Sequence, residues 1–453
     1  MHSALPVRQW LNAPRPDDTP VAWCGDRGWT LGQLRDDVSS LTTYLQQQEG
    51  ERWALCFDDS YLFIVALLAM LHAGKIPVIP GHSRVLLLEK QQALFDGLLS
   101  DRALRYSGRL RVVSATRRSH APFLPLPDIA DAAFIELFTS GSTGVPKRVV
   151  KTITDLDREA AQLATLFGDR LIGCRVVASV APYHQYGLTF RLFLPLSLGL
   201  VVHSAIIEYS EQLAALDPQY RYLFISSPAF LKRIDTQLSA PPVAGLISAG
   251  GALEWKTVEK THRWLNIWPD EIYGSTETGV LAWRHYQKEG LLWRPLPGVH
   301  FRQDQDGLRV ASPFIPHGEE WPLDDVLQFD ATGAFRLVGR RDRVVKIEEK
   351  RISLDEIEQH LLALEGICEA AALPIVRNGR QGIGALLVLD GAAREQRKQR
   401  GNNAQEQAWR RALRPWLDPV AVPRDWRIVD EIPVNSMNKR VYAQLQELFH
   451  ENP

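Results

Sequence analysis

From Thr139 to Gly144 every residue is a hydroxyl or a glycine: Thr139-Ser140-Gly141-Ser142-Thr143-Gly144, followed by Val145-Pro146-Lys147. Such a run cannot fill a core. The short apolar stretch before it, Ala133-Phe134-Ile135-Glu136-Leu137, therefore reads as a strand that runs into a turn. Glycine lets the chain curl and approach a ligand closely, and successive backbone N–H groups flanked by hydroxyls form a concavity suited to an anion. Lys147 adds a point charge of the kind used at phosphate sites. The spacing is not that of a Walker loop, which needs Gly directly before the Lys and Ser or Thr after it; Pro146 and Arg148 stand there. Nor is it a G-x-G-x-x-G fingerprint. Taken alone, the run also fits a flexible Ser/Gly surface turn.

The chain has 453 residues, enough for two or three domains, and its 45% hydrophobic and 23% charged content is ordinary for a globular protein with a full core. A formal net charge of -1 gives no bulk attraction to nucleic acid or to a membrane surface. Cys24, Cys56, Cys174 and Cys368 lie far apart with no C-x-x-C pair, and read as buried thiols in a reducing, cytoplasmic setting. The first residues show no charged region followed by an apolar core, so no signal peptide is expected. The longest apolar run, Tyr61 to Leu71, is too short to span a bilayer.

Short apolar runs alternate with helical patterns along the chain. Thr30 can cap a helix through Leu34, Val38, Leu41 and Leu45. Tyr61 to His72 reads as a buried helix, closed by Ala73-Gly74 before the strand Ile76–Pro80. A polar helix over about 155–167 precedes a strand at Arg175–Val180. Further strands are expected at Tyr222–Ser226 and from Gly245 into Gly250-Gly251. This order predicts an α/β fold with doubly wound sheets and ligands at the carboxyl ends of strands. His184, in Pro182-Tyr183-His184-Gln185-Tyr186-Gly187, reads in isolation as a satisfied structural histidine. The next box is Glu271-Ile272-Tyr273-Gly274-Ser275-Thr276-Glu277-Thr278-Gly279. It carries an aromatic face for a purine, a hydroxyl for a phosphate oxygen and a carboxylate suited to Mg²⁺. In the tail, Val344–Ile352 looks like a hairpin and Ser353 caps a helix through Leu361. Gly391 to Arg414 is basic, either a solvated linker and helix or a docking patch for an acidic partner.

The string Phe138–Lys147 closely resembles the phosphate loop of the adenylate-forming superfamily, which holds acyl- and aryl-CoA synthetases, luciferases and the adenylation domains of peptide synthetases. The Tyr273–Gly279 box resembles a second motif of that family, and Pro433-Val434-Asn435-Ser436-Met437-Asn438-Lys439 resembles its terminal lysine loop, with Asn438 where Gly is usual. The resemblance runs from about residue 20 to 445, in the family's order, and is to a short bacterial acyl- or aryl-acid synthetase.

The resemblance implies a large N-terminal AMP-binding domain, 1–341, of doubly wound sheets with a barrel-like part, and a small mobile α+β C-terminal domain, 342–453, with a hinge near Asp342. It implies ATP contacts from Thr139, Ser140, Gly141, Ser142, Thr143, Gly144 and Lys147, from Gly250 and Gly251 to adenine, and from Tyr273, Gly274 and Thr276. Asp325 and Arg340 reach the ribose, and Glu277 holds Mg²⁺. His184 lies beside the acyl carboxylate and Lys439 between the two reacting anions, with Thr276 and Glu277 completing the catalytic set. The implied activity is ATP-dependent joining of a small carboxylic acid, aromatic or of medium chain length, to AMP, then transfer to a thiol. The thiol is that of coenzyme A or of phosphopantetheine on an acyl carrier protein. Relatives commonly carry glycine at the place of Glu349, beside the pantetheine channel. Carboxylates at Glu348 and Glu349 would repel the phosphates of coenzyme A, which favours a carrier protein as acceptor, unless Glu349 simply points into solvent. A stand-alone peptide-synthetase-type adenylation enzyme and a silent nucleotide-binding relative are the alternatives. Lys439, Glu277 and Asp325 together speak for an active enzyme.

Overall fold

The computed structural model describes residues 4–115, 126–140, 146–288, 290–305, 307–315, 318–340, 343–347, 350–377, 380–434, 440 and 442–450. It divides into two compact units, one of Met1–Phe301 with Val310–Trp321, the other of Arg302–Arg309 with Pro322–Pro453.

Among the described residues the first unit holds two large open sheets. One runs, from edge to edge, through Leu110–Val112, Gly97–Ser100, Arg52–Cys56, Ile76–Ile79, Phe134–Ser140 and Pro146–Thr152. Its strands are parallel except for the last pair, a hairpin. The other has Val243–Ser248, Arg221–Ser226, Cys174–Ala178 and Val201–His203 at its parallel centre, and antiparallel pairs at both ends. The helix Ser60–His72 contacts strands of both sheets, and every residue in it but Leu62 is buried. A helix apolar all round must be enclosed on all sides, which explains its continuous Leu, Ile, Phe and Ala content. Asp59 caps it by accepting the Leu62 N–H, and Thr30 caps the neighbouring helix Leu31–Gln46 through the Gln33 N–H.

The α/β expectation holds, and no sheet among the described residues closes into a barrel. Most expected elements are present with shifted ends: the polar helix runs Ile153–Leu171, and the strand expected to stop before Thr139 continues to Ser140. Thr139 lies opposite Lys147 and Ser140 opposite Pro146 in the antiparallel hairpin. The cysteine expectation fails in part. Cys56 and Cys174 are buried, but Cys24 is half-buried and Cys368 is exposed: the ladder register shifts between Ile367 and Glu369, leaving Cys368 outside the pairing. No helix among the described residues is long and apolar enough to cross a membrane.

The second unit packs the sheet Ile367–Arg377, Arg380–Leu389 and Asp425–Ile428 against the helices Leu354–Leu362 and Asn402–Leu413. Its apolar centre includes Ile357, Leu361, Ile383, Leu387, Trp409 and Leu413.

Candidate active site

The hairpin that carries the phosphate-type run delivers Lys147 to a defined partner. Its Nζ donates to Glu277 Oε1 at 3.0 Å and lies 4.9 Å from the centre of the Trp321 ring. Burial alone would raise the Glu277 carboxyl. Hydrogen bonds from Lys147, from its own backbone N–H and from Ser275, together with the Lys147 charge, bring it below the usual carboxylate range. Two stretches 130 residues apart in the chain are thus joined by a charge pair.

Glu277 and Thr276 occupy the turn between the strands Asp270–Ser275 and Gly279–His285. The turn is closed by side chains: Ser275 and Thr278 exchange backbone-to-hydroxyl hydrogen bonds at 3.2 Å each. Gly274 is required there, since a Cβ would meet the Gly279 carbonyl oxygen at 2.2 Å. Tyr273 precedes it, with its ring 5.8 Å from that of Trp293. Gly250, at the carboxyl end of Val243–Ser248, has φ +91°, and its neighbour Gly251 faces only Pro228 at 3.9 Å. A side chain at either place would occupy space that the backbone now leaves open.

His184 stands edge-on to Tyr183, with ring centres 4.8 Å apart. A Cβ on Gly81, whose φ is +77°, would lie 3.6 Å from the His184 ring and 3.2 Å from the Phe138 carbonyl. The imidazole therefore sits near Phe138 of the phosphate-type hairpin. Tyr186, two residues on, donates its hydroxyl to the carbonyls of Ser226 (3.1 Å) and Ile247 (2.7 Å) and bridges two central strands. Trp283 packs edge-on against Phe167 of the Ile153–Leu171 helix.

In the second unit the strands Asp325–Phe329 and Phe335–Arg340 pair so that Asp325 stands directly opposite Arg340. Gly141, Ser142, Thr143, Gly144, Asp342, Glu348, Glu349 and Lys439 lie outside the described residues. So do the side chains of Thr139, Ser140 and Arg340. Of the basic stretch, Arg394 is bound within the unit, to Asp430 at 2.6 Å and to the Leu389 and Val429 carbonyls.

Three functional candidates were not visible in the sequence. Lys151 and Glu159 are fully buried beneath the Ser275–Gly279 turn. Glu358 accepts from Arg343 at 2.6 Å and from Arg440 at 2.8 Å, so one carboxylate ties the chain just after Asp342 to the chain just after Lys439. An Arg beside each of those positions was the available signal, but nothing in the linear order marks Glu358 as their common partner.

A cleft of about 480 Å³ lined by Asp131, Thr152, Asp155, Arg158 and Pro313 contains none of the candidate residues. Among the described residues no three His, Cys, Asp or Glu side chains gather as a metal cage.

A doubly wound α/β unit that carries the Lys147–Glu277 pair, followed by a smaller α+β unit, defines a two-unit α/β class of protein. A family model described as "AMP-binding enzyme" matches residues 82–319, and the chain belongs to that family. It is 29% identical over 320 residues to a 4-coumarate–CoA ligase of Halorhodospira halophila, covering 66% of this chain and 73% of that protein. It is 26% identical over 449 residues to nonribosomal peptide synthetase 8 of Aspergillus fumigatus, covering 80% of this chain but only 5% of that one. The fold is shared with O-succinylbenzoate coenzyme A synthetase from Bacillus subtilis in complex with AMP, at TM-score 0.80, 18% identity, 97% of this chain and 98% of that chain.

Proposed function

We propose that the chain joins a small carboxylic acid to AMP at the expense of ATP and then passes the acyl group to a phosphopantetheine thiol, that of an acyl carrier protein. The Lys147–Glu277 pair carries the reading. It sets a cation and an ionised carboxylate where the phosphate-type hairpin meets the Tyr273–Gly279 turn, inside the segment that matches the family.

In the first step a carboxylate oxygen attacks the α-phosphorus of ATP, and the bond to the β-phosphate breaks, releasing pyrophosphate. Two anions must meet. One unit charge placed about 4 Å away at an effective dielectric near 20 is worth on the order of 4 kcal/mol, or about a thousandfold in rate. Lys439 is the proposed charge. The run from Thr139 to Lys147 holds the triphosphate, Gly250, Gly251 and Tyr273 flank the adenine, Asp325 and Arg340 take the ribose hydroxyls, and His184 stands beside the acid. Glu277 fits Mg²⁺: it is ionised, and a magnesium site needs only one or two carboxylates when phosphates and water supply the other oxygens. Held by Glu277, Mg²⁺ would supply positive charge to offset that on the departing pyrophosphate. In the second step the thiolate attacks the acyl carbonyl and AMP leaves. Rotation of 342–453 about Asp342 exchanges Lys439 for the Lys346–Arg351 hairpin between the steps.

Coenzyme A is the second acceptor to consider, because relatives bear the names 4-coumarate–CoA ligase and 4-hydroxybutyrate–CoA ligase. The test is acid-dependent pyrophosphate release, run on a panel of aromatic and medium-chain acids. Release with any of them and none without acid is expected. No release with the whole panel would point to the silent nucleotide-binding alternative.

A further inference from the structure

Lys151 is 1% exposed and Glu159 2% exposed. Lys151, near the end of the strand Pro146–Thr152, donates its Nζ to the carbonyls of Glu277 (2.7 Å) and Phe314 (3.2 Å). Glu159, in the helix Ile153–Leu171, accepts the Val280 N–H through Oε1 at 2.6 Å. Its Oε2 accepts from Thr189 Oγ1 at 2.9 Å and from Gln185 Nε2 at 3.3 Å. One carboxylate thus grips both the exit of the Ser275–Gly279 turn and the segment that begins at His184. Burial pushes its pKa up, and the Lys151 charge opposes this.

An apolar side chain would fill the same space at lower desolvation cost. What the carboxylate adds is direction, since it fixes two backbone elements through named atoms. It is not a ligand for the acid, because both of its oxygens are already taken by donors of the chain.

We infer that Glu159 is a positioning residue for the first half-reaction, keeping the acid-side segment His184–Thr189 in register with the phosphate-side turn Ser275–Gly279. The inference rests on the acid-plus-ATP reading above. Its consequence is asymmetric. Register between the half-sites matters while acid and ATP are separate molecules, and a misplacement of about 1 Å can lower the rate on the order of 100-fold. Once they are joined as acyl-AMP, the covalent bond sets the spacing.

The experiment uses the full chain with 4-coumarate, benzoate and hexanoate, and follows the acid that turns over best. Single-turnover formation of acyl-AMP is compared with the rate at which chemically prepared acyl-AMP acylates pantetheine, alongside thermal unfolding. Glu159→Leu should lower the first rate about 100-fold and the second less than about 5-fold. Glu159→Gln should return the first to within about 10-fold of the parent, because its amide oxygen still accepts the Val280 N–H and its NH₂ can donate to Thr189. Where Glu159→Leu does not fold, Thr189→Val decides: it removes the shorter of the two acid-side hydrogen bonds, leaves that of Gln185 and the Val280 contact in place, and should show the same split at about 10-fold. Equal losses in both rates, or no loss in either, overturn the inference. A parent protein without acid-dependent pyrophosphate release rejects the functional reading first, and this inference with it.

Discussion

Gly279→Ala should be far more damaging than its chemistry suggests, and the damage can be dissected. Gly279 has φ +69°, a conformation that costs an L-residue roughly 1–2 kcal/mol. A Cβ there would lie 2.5 Å from Glu159 Oε1 and 3.1 Å from Phe314 Cβ. The carboxylate cannot step aside freely, because that same oxygen accepts the Val280 N–H at 2.6 Å. Displacing it forfeits a hydrogen bond to a charged group, about 1.5–3 kcal/mol. The sum is roughly 2.5–5 kcal/mol, or about 4–8 °C in the unfolding temperature of a unit of roughly 300 residues. Gly173→Ala is the control: φ is +72° with nothing within 4 Å, so only the backbone strain of roughly 1–2 kcal/mol applies. Calorimetry of Gly279→Ala, Glu159→Ala and the double variant isolates the clash. Without the carboxylate, Gly279→Ala should cost only its backbone term and the remaining Phe314 contact, giving a coupling of about 1.5 kcal/mol or more. Strictly additive losses would refute the steric account.

Asp157 accepts the Val7 N–H at 2.9 Å, and burial pushes its carboxyl up to about 6, against the opposing pull of that hydrogen bond and of Arg8. A raised folded pKa means that its contribution is intact below the ordinary value of 3.8 and is lost as pH rises through about 6. Asp157→Asn should therefore stabilise by about 1–2 kcal/mol at pH 8, after discounting for partial exposure, and by roughly half that at pH 5. Urea midpoints of equal shift at the two pH values would dismiss the linkage. Lys439→Ala should slow acyl-AMP formation about a thousandfold while supplied acyl-AMP is still consumed; equal loss in both single-turnover assays would move the role elsewhere. An acyl carrier protein should accept the acyl group faster than coenzyme A, with a rate that falls as salt rises and when Arg397 and Lys398 are neutralised. A coenzyme A rate equal to or above it would make the chain an acid–CoA ligase.

The turn residues were legible in the sequence because their chemistry is local. Gly274 and Gly279 sit where a Cβ meets backbone or a buried carboxylate, and Ser275 and Thr278 close their turn with their own hydroxyls. The helix caps at Thr30 and Ser353 follow from the same short-range logic, whereas the cap at Thr152 was not read from the sequence. Lys151 and Glu159 were hidden for the opposite reason. In Val149-Val150-Lys151-Thr152 a lysine reads as the wet side of a strand, and a glutamate in a polar helix reads as solvated. Yet Asp155 and Glu159 lie on the buried face of that helix, and their surroundings come from residues such as Val280, 121 positions away. Periodicity assigns charges to water by default and cannot register a partner that distant.

The strand Pro146–Thr152 joins the two kinds of feature. Side chains alternate along a strand, so Lys147, Val149 and Lys151 share one face. Lys147, half-exposed, holds the carboxylate of Glu277; Lys151, buried, holds its carbonyl. One residue of the turn is thus gripped at both its side chain and its backbone by two lysines spaced two pleats apart. The phosphate-type hairpin and the Tyr273–Gly279 box are then not separate motifs brought near each other by the fold. A shift of the strand by one residue would turn both lysines to the opposite face and release both grips together, so strand register and site geometry are set by the same interactions.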